Sequence, residues 1–590
     1  MIRSRCIALA AVLIATLSAT SLLRAQDVRR AVHVAAGEAA VASESAAASL
    51  VGRRVLEEGG NAVDAAVAVA LSLAVTWPEA GNLGGGGFMM VLPAPGMAGS
   101  QQAGEQGGKQ APAVRAQPVC VEYRERAPRA ATATMFDRDD SKHSWKIVGV
   151  PGTVRGLQLA HKTYGRLPWR RVAQPAAELA KGGFEVDSHL AASINSVLRQ
   201  TAQQADEFAP LRAAYGRQDG KPWQAGDRLV LPALGNTLEA IARDPDAFYE
   251  GPLAQKLADA MAAGDGLITT ADLHDYRANV RAPIHGVFRG YDVWGPPPPS
   301  SGGICLIEAL NILENFPLAA RPVYAEQNVH LRAETMRRVF ADRARHLGDP
   351  DFVSIPPHLT TKDYAKQLAR EIDARRATPS AEVAADIALA PESDHTTHFS
   401  VVDRDGMAVS NTYTLEASWG SRRLVPELGY VLNNEMGDFN WLPGVTDRQG
   451  RIGTPPNLIE PGKRMLSSQT PTLVTKQGRF AYAVGSPGGR TIINTVLGIL
   501  VDVLEHGRSL PEAVAAPRMH HQWFPDELSF EGANDPKYAH LKAALTERGH
   551  RVASRRQGSA HCIAALPNGE VLGVADFRRG GSAEAVPRKP

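Results

Sequence analysis

Three times in the last third of this chain, two β-prone runs flank a tight-turn signal, and such a unit closes as an antiparallel hairpin. The first begins Thr396-Thr397-His398-Phe399-Ser400-Val401-Val402-Asp403, turns at Arg404-Asp405-Gly406 and returns over residues 407–415. The second pairs residues 470–475 with 479–484 around Lys476-Gln477-Gly478, and the third pairs 562–566 with 571–575 around Asn568-Gly569. Asp-Gly and Asn-Gly are strong hairpin signals because the turn demands positive φ. Helical patterns surround these units. Residues 37–92 read as two helices and a glycine turn, with Glu57-Glu58-Gly59-Gly60-Asn61 ending one helix and capping the next. Residues 304–315, 325–345, 360–375 and the apolar stretch 490–505 also read as helices, and there is no internal repeat. Helices around hairpin-built sheets predict an α/β (α+β) protein with a largely antiparallel sheet layered with helices.

The connections are equally informative. Gly81-Asn82-Leu83 leads into four consecutive glycines, Gly84 to Gly87, and then Phe88-Met89-Met90-Val91-Leu92. Such a run lets a backbone pack tightly or take positive φ before a strand. It is not a phosphate loop, since no Gly-Lys-Ser/Thr follows. Residues 93–118, rich in Gly, Gln, Ala and Pro without apolar period, read as an exposed insertion between strands. Residues 296–299 are all Pro and precede Ser300-Ser301-Gly302-Gly303, a loop that is stiff and then flexible. Polar, Ala-rich residues 376–393 suit an exposed linker.

At 590 residues with 44% hydrophobic content, the chain can bury a sizeable core as a few domains or one large enzyme fold. Lys+Arg number 64 against Asp+Glu 62, which lacks the basic excess of a phosphate-binding nucleic-acid partner. Residues 1–25 read as an export signal: Arg3 and Arg5, an unbroken apolar run over 6–15, then Ser18, Ala19, Thr20 and Ala25 near a cleavage point. That run is too short to span a bilayer comfortably, so the expected location is periplasmic or secreted, with no stable membrane span. Residues 62–75 are apolar but contain Asp64 and Ser72, which favours a buried helix. The mature chain keeps Cys120, Cys305 and Cys562, an odd number that leaves at least one free thiol. No CxxC pair or HExxH motif supports a metal site, and His520-His521 are neighbours that point different ways. No cofactor is expected.

The chemistry centres on Asp394-His395-Thr396-Thr397-His398-Phe399-Ser400, where a threonine opens a strand after a polar segment. Taken alone, such a threonine is usually structural. It is followed in order by Thr412-Tyr413-Thr414-Leu415, Asn433-Asn434-Glu435-Met436-Gly437-Asp438-Phe439, Leu466-Ser467-Ser468 and Gly485-Ser486-Pro487-Gly488-Gly489. Upstream lie Gly60-Asn61-Ala62-Val63-Asp64-Ala65-Ala66, Ala80-Gly81-Asn82-Leu83, Tyr123-Arg124-Glu125-Arg126-Ala127-Pro128 and Val148-Gly149-Val150-Pro151-Gly152-Thr153-Val154, and Ala575-Asp576 with Arg578-Arg579-Gly580-Gly581 closes the set. In this ordered set the chain resembles the gamma-glutamyltranspeptidase family over nearly its whole length.

The resemblance implies an N-terminal-nucleophile hydrolase fold, an αββα four-layer sandwich, with two subunits made from one precursor. The precursor would cut itself at His395–Thr396, giving a large subunit of residues 26–395 and a small catalytic subunit of 396–590 that stay together as a heterodimer. A free N-terminal threonine carries its own base, because the released α-amine can take the hydroxyl proton. The implied substrates are γ-glutamyl compounds such as glutathione, resolved by water or by an amino-acid or dipeptide acceptor. By the same resemblance Arg124 would grip the substrate α-carboxylate with Ser467 and Ser468, while Asp438 and Glu435 would hold the α-ammonium group. Thr414 would steady the Thr396 hydroxyl, and the backbone amides of Gly488 and Gly489 would form the oxyanion hole.

Two departures qualify the pattern. Glu416 stands where the family often has Asn, so a second carboxylate lies near the glutamyl site. Residues 440–465 are long enough for the lid of many members but contain no Tyr, and Trp441 is their only aromatic residue. Hydrolysis is therefore expected to exceed transfer. Alternatives within the fold are an acylase for glutaryl-type amides or a poly-γ-glutamate-processing enzyme, and outside enzymology a non-catalytic exported binding protein.

Overall fold

A computed structural model describes residues 32–97, 117–384, 389–390, 396–449 and 451–588. The expected signal at 1–25, most of the expected insertion at 93–118 and His395 lie outside the described residues.

Fourteen strands build two sheets: β1 Val32–Gly37, β2 Ala39–Ser43, β3 Gly86–Leu92, β4 Val119–Tyr123, β5 Asn279–Arg281, β6 Ile284–Phe288, β7 Tyr291–Gly295, β8 Thr397–Val402, β9 Ala408–Thr414, β10 Thr472–Lys476, β11 Arg479–Val484, β12 His561–Ala565, β13 Val571–Asp576 and β14 Ser582–Val586. The first seven-stranded sheet runs β14-β2-β8-β9-β3-β4-β5 and the second β1-β13-β12-β11-β10-β7-β6. Every neighbouring pair in both is antiparallel. The three expected hairpins are β8–β9, β10–β11 and β12–β13, with β8–β9 in the register Thr397 opposite Tyr413 through Val402 opposite Ala408.

The side chains sort into layers. Ala42, Phe88, Met90 and Val402 of the first sheet meet Leu473, Ala483, Ile563 and Ala575 of the second. The opposite face of the first sheet (Val41, Met89, Val91, Phe399, Val401, Val409) packs on helices α1 Ala46–Glu57, α2 Ala62–Thr76, α3 Thr153–Tyr164 and α4 Trp169–Gly182. The outer face of the second, with Val293, Val474, Val484 and Val574, packs on α5 Gly302–Leu313, α6 Glu326–His346 and α7 Thr491–Leu500. The order helix, sheet, sheet, helix is the expected αββα sandwich. Because both faces of β8 and β9 are covered, all their residues are buried, which is why the sequence there shows no clean polar alternation.

Helix α2 shows how local chemistry permits deep burial. Asn61 accepts from the amides of Val63 and Asp64, each at 3.0 Å, and the Asp64 carboxylate accepts from Asn61 N at 2.9 Å. This reciprocal cap satisfies donors a buried helix start would otherwise leave unpaired, a contribution of about 1 kcal/mol. Amides of Arg166 and Leu167 also bond Asp64, so all 15 residues of α2 are buried, charge included. Among the described residues no helix is long and apolar enough to cross a membrane.

One expectation needs correction and another is narrowed. Residues 376–393 are not simply an exposed linker: Ser380 and Ala384 are buried, and Ser380 accepts from Arg337 Nε at 3.1 Å while its amide bonds Asp526 at 2.8 Å. Of the two options for the glycine run, the structure uses close packing. A Cβ at Gly85 would lie 2.0 Å from the Thr414 carbonyl oxygen, so only glycine lets β3 begin against the end of β9.

Candidate active site

Thr396 lies immediately before β8, and the β8–β9 register continued by one position sets Thr414 beside it. Thr396 is nearly buried, and its carbonyl accepts from Arg579 Nη1 at 3.4 Å. Thr414 ends β9. Its carbonyl accepts from Asn82 Nδ2 at 2.9 Å, and its hydroxyl oxygen accepts from the Glu416 amide at 2.8 Å. Behind the pair, polar groups tie the sheets together. His398 bonds Thr412 Oγ1 at 2.8 Å and Ser400 Oγ at 3.2 Å, and Ser400 donates to the carbonyl of His561 in the other sheet at 2.9 Å. Burial drives the His398 imidazole well below its ordinary value, which favours the neutral ring.

One narrow cavity is lined by Arg124, Thr396, Thr414, Glu416, Asp438, Ser467, Ser468, Gln469, Gly489, Arg490 and Ile492. Eight of the ten residues expected at the site therefore share it. Glu435 stands just behind, reaching Arg124 Nη1 at 2.6 Å, and Gly488 precedes Gly489 in the turn that starts α7. Sequence reading missed Gln469, Arg490 and Ile492, each next to or within three residues of a motif position.

The electrostatics are unusual. Arg124, which follows β4, is fully buried and pairs with Glu435, Asp438 and Glu125, the last at 3.3 Å. Burial opposes its charge, but the Glu435, Glu125 and Asp438 carboxylates outweigh that and hold the guanidinium above its usual value. Burial also pushes the Glu125 carboxyl up to about 8 against the pull of Arg124. Glu435 is driven well above the carboxylate range, first by burial and then by Glu125, Asp438 and Glu416 around it. One guanidinium thus faces three carboxyls, two of which burial pushes toward the neutral form. Such a pocket has room for the cation of a substrate as well as its anion. Glu416 holds φ +77° and accepts from Asn434 Nδ2 at 2.5 Å, a left-handed residue fixed by its neighbours.

The two serines are held from behind. Ser467 donates its amide to the Pro299 carbonyl at 2.8 Å, and its own carbonyl accepts from Ser301 N at 2.8 Å and Ser301 Oγ at 2.7 Å. Arg343, inside α6, donates from Nη2 to Ser468 Oγ at 3.0 Å and from Nε to Ser301 Oγ at 3.0 Å. Since Ser468 Oγ accepts from a guanidinium, its own proton is directed elsewhere, and a carboxylate in the cavity is a suitable acceptor. Asn433 and Asn82 play the same supporting part for the acidic turn and Thr414: Asn433 bonds Gly84 O at 2.7 Å and Gly149 O at 2.8 Å, and Thr153 Oγ1 holds Asn82 Oδ1 at 2.7 Å.

Gly488 and Gly489 have φ of +130° and +56°. A Cβ on Gly488 would sit 2.5 Å from Thr491 Oγ1, so this turn needs glycine for both conformation and space. Cys120, Cys305 and Cys562 are free and buried. His520 and His521 are buried too, with burial lowering them to about 3 and about 4. His330, Glu334 and His550 bring ligand-type atoms within 4.8 Å of one another. Glu334 is engaged there by Arg337 and Arg338, and two guanidiniums beside the carboxylate disfavour a cation. An open groove of about 1040 Å³ lined by Arg217, Asp219, Trp223 and Arg228 has no Ser, Thr or Cys in its wall.

The chain is similar to several known proteins. The gamma-glutamyltranspeptidase family profile matches residues 48–586. The glutathione hydrolase proenzyme of Escherichia coli (strain K12) is 42% identical over 555 residues, covering 92% of this chain and 91% of that protein. A crystal structure of gamma-glutamyltranspeptidase from Helicobacter pylori superposes with TM-score 0.52 at 35% identity, over 57% of this chain and 93% of that one. A cephalosporin acylase from Bacillus halodurans shares the fold with TM-score 0.80 at 24% identity, over 95% of this chain and 97% of that one.

Proposed function

The chain belongs to the gamma-glutamyltranspeptidase family, and from that premise we propose that it is a glutathione hydrolase and γ-glutamyltransferase whose nucleophile is Thr396. The observation that carries this reading is the shared cavity, in which a strand-opening threonine meets Arg124, Asp438, the two serines and Gly489.

The chemistry begins with maturation. The Thr396 hydroxyl attacks the His395 carbonyl, the peptide N–C bond breaks as an ester forms, and water opens that ester. His395 keeps a carboxylate, and Thr396 gains a free α-amine. In turnover that amine takes the hydroxyl proton as Oγ attacks the γ-glutamyl carbonyl, and it returns the proton to the leaving amine. Backbone amides of Gly488 and Gly489 stabilise the oxyanion, where one donor is typically worth about 10²–10³ in rate. Water then releases glutamate, or an amine acceptor takes the γ-glutamyl group. Arg124, Ser467 and Ser468 receive the α-carboxylate, Asp438 and Glu435 the α-ammonium, and Thr414 steadies the nucleophile. Export through residues 1–25 belongs to the same proposal.

Asp438, the partly exposed carboxylate beside Arg124, favours a substrate carrying an ammonium group, which a glutaryl amide lacks. The test is to offer purified protein glutathione and a glutaryl amide with the same leaving group. Glutamate release without glutarate release is expected. Glutarate release as fast or faster would transfer the chain to the acylase reading, and release of neither would favour a binding protein.

A further inference from the structure

Side-chain amides surround the cavity of Thr396, and the asparagines among them are used at both ends. Asn82 donates to the Ala80 and Thr414 carbonyls and accepts from Thr153 Oγ1. Asn433 donates to the Gly84 and Gly149 carbonyls and accepts from the Gly149 and Glu435 amides. Asn434 bonds Glu416 and the Ala417 amide, and Asn457 bonds the Asp438 carbonyl and the Leu466 amide. Gln469 differs. It is only 2% exposed and lines the cavity beside Ser467 and Ser468, yet neither its Nε2 nor its Oε1 has a hydrogen-bond partner among the described residues. Its backbone is fully engaged: the amide donates to Ser467 Oγ at 3.1 Å, and the carbonyl accepts from Ser300 Oγ at 2.5 Å. What Gln469 brings to the cavity wall is therefore a carboxamide with both halves unpaired. A fold carries such a group at a cost, which a ligand that pairs it recovers.

We propose that Gln469 is a specificity-determining residue that contacts both charges of the substrate head, Nε2 donating to the α-carboxylate and Oε1 accepting from the α-ammonium group. The inference rests on the γ-glutamyl reading of this cavity. A count of donors carries it further. An arginine has five N–H donors, and Arg124 already meets four acceptors of the protein: the Met465 carbonyl at 3.3 Å from Nε, Glu125 at 3.3 Å and Glu435 at 2.6 Å from Nη1, and Asp438 from Nη2. About one donor is left for a ligand. Ser467 and Ser468 each keep a hydroxyl proton to give, because Ser467 Oγ accepts from the Gln469 amide and Ser468 Oγ from Arg343. These donors are fewer than the roughly four lone-pair sites of a carboxylate taken out of water. Gln469 Nε2 supplies another without adding a charge to the cluster around Arg124. The ammonium group has three protons to place, and Oε1 joins the carboxylates of the acidic turn as an acceptor. A ligand that lacks either charge leaves half of the amide unpaired.

Gln469→Leu removes both hydrogen-bonding atoms, and two readouts separate binding from structure. In the processed, ligand-free enzyme the melting temperature should stay the same or rise, because an unpaired buried amide has left the fold. With γ-glutamyl-p-nitroanilide as substrate, KM and the Ki of L-glutamate should each rise about tenfold or more, while kcat stays within about threefold of wild type. Gln469→Glu loses the donor and sets a negative charge against the α-carboxylate, so its Ki for L-glutamate should rise further. Wild type should prefer L-glutamate to glutarate, which lacks the ammonium, and to 4-aminobutanoate, which lacks the α-carboxylate, and both preferences should shrink in Gln469→Leu. A Gln469→Leu enzyme with wild-type KM and Ki overturns the proposal. So does one that melts earlier and loses kcat as steeply as it gains KM, which marks a structural role. If Gln469→Leu fails to process, Gln469→Met is read by the same criteria, and failure of both is the structural outcome. A wild type that neither cleaves the anilide nor binds L-glutamate removes the γ-glutamyl reading, and the role of Gln469 with it.

Discussion

Replacing Arg124 by Met keeps much of the side-chain volume and removes one charge from a cluster in which Arg124, Glu125 and Glu435 are fully buried and Asp438 is partly exposed. Three carboxyls lose their partner at once: Glu435 at 2.6 Å, Glu125 at 3.3 Å and Asp438. Two of these, Glu125 and Glu435, are already pushed toward the neutral form by burial, so the fold can respond by holding protons rather than by opening. The loss should therefore fall mainly on binding and catalysis. Removing one partner of a buried charge pair costs about 2–5 kcal/mol, and the neutral carboxyls place the expected loss in the lower part, about 2–4 kcal/mol. That is about 30- to 900-fold in kcat/KM for a γ-glutamyl anilide. The measurement is steady-state kinetics on protein shown to be processed and to unfold cooperatively. Arg124→Lys, which keeps the charge but not the two-pronged geometry, should recover only part of the loss. A folded, processed Arg124→Met enzyme within about threefold of wild type would take Arg124 out of the site.

Three further outcomes follow from the same geometry. Ionisation of Glu125 near pH 8 adds a negative charge beside the guanidinium that receives the α-carboxylate, so kcat/KM should fall as pH rises through that value, and Glu125→Gln should flatten that limb. The sign for stability matches: a carboxyl raised from 4.5 to about 8 in the fold stabilises while protonated, fully below pH 4.5 and progressively less up to about 8, as thermal unfolding against pH would reveal. Gly488→Ala must hold φ +130° with a Cβ 2.5 Å from Thr491 Oγ1, and kcat should drop by about 10²-fold or more as the oxyanion amides shift; a kcat close to wild type would deny them that role. Arg343→Lys should raise KM about three- to tenfold with little change in kcat, because it loses the fork that orients Ser468, and an unchanged KM would make Arg343 merely structural.

The parts of this architecture legible in the sequence are those fixed by local chemistry. Asp405-Gly406 and Asn568-Gly569 announce hairpins, and Asn61 announces a helix start, since each signal and its partner lie within a few residues. Thr396 and its companions are recognisable only as an ordered set, and their convergence on one cavity depends on the β8–β9 register and the turns around it. What stayed hidden relies on distant partners. Arg343 reads as one more polar residue of α6, yet it is buried because Ser468 lies 125 positions away in sequence and 3.0 Å away in space. Residues 328–344 of that helix are all buried despite their polarity, with Glu334 matched to Arg337 and Arg338. Composition similarly made 376–393 look exposed, whereas Ser380 is enclosed by Arg337 and Asp526. Arg490 went unnoticed because nothing in its neighbourhood distinguishes a cleft-lining arginine from one at a helix start.

The central claim is that Thr396 becomes a catalyst only when its amine is freed. N-terminal sequencing and intact mass of the purified protein, beside Thr396→Ala and Thr396→Ser, test it most directly. The account predicts two fragments, residues 26–395 and 396–590, the smaller beginning Thr396-Thr397-His398-Phe399-Ser400. Thr396→Ala, with no hydroxyl to attack the preceding carbonyl, should remain one inactive chain, while Thr396→Ser should still process. A fully active enzyme that remains a single uncut chain would contradict the account, because no free α-amine would then exist at Thr396 to take the hydroxyl proton.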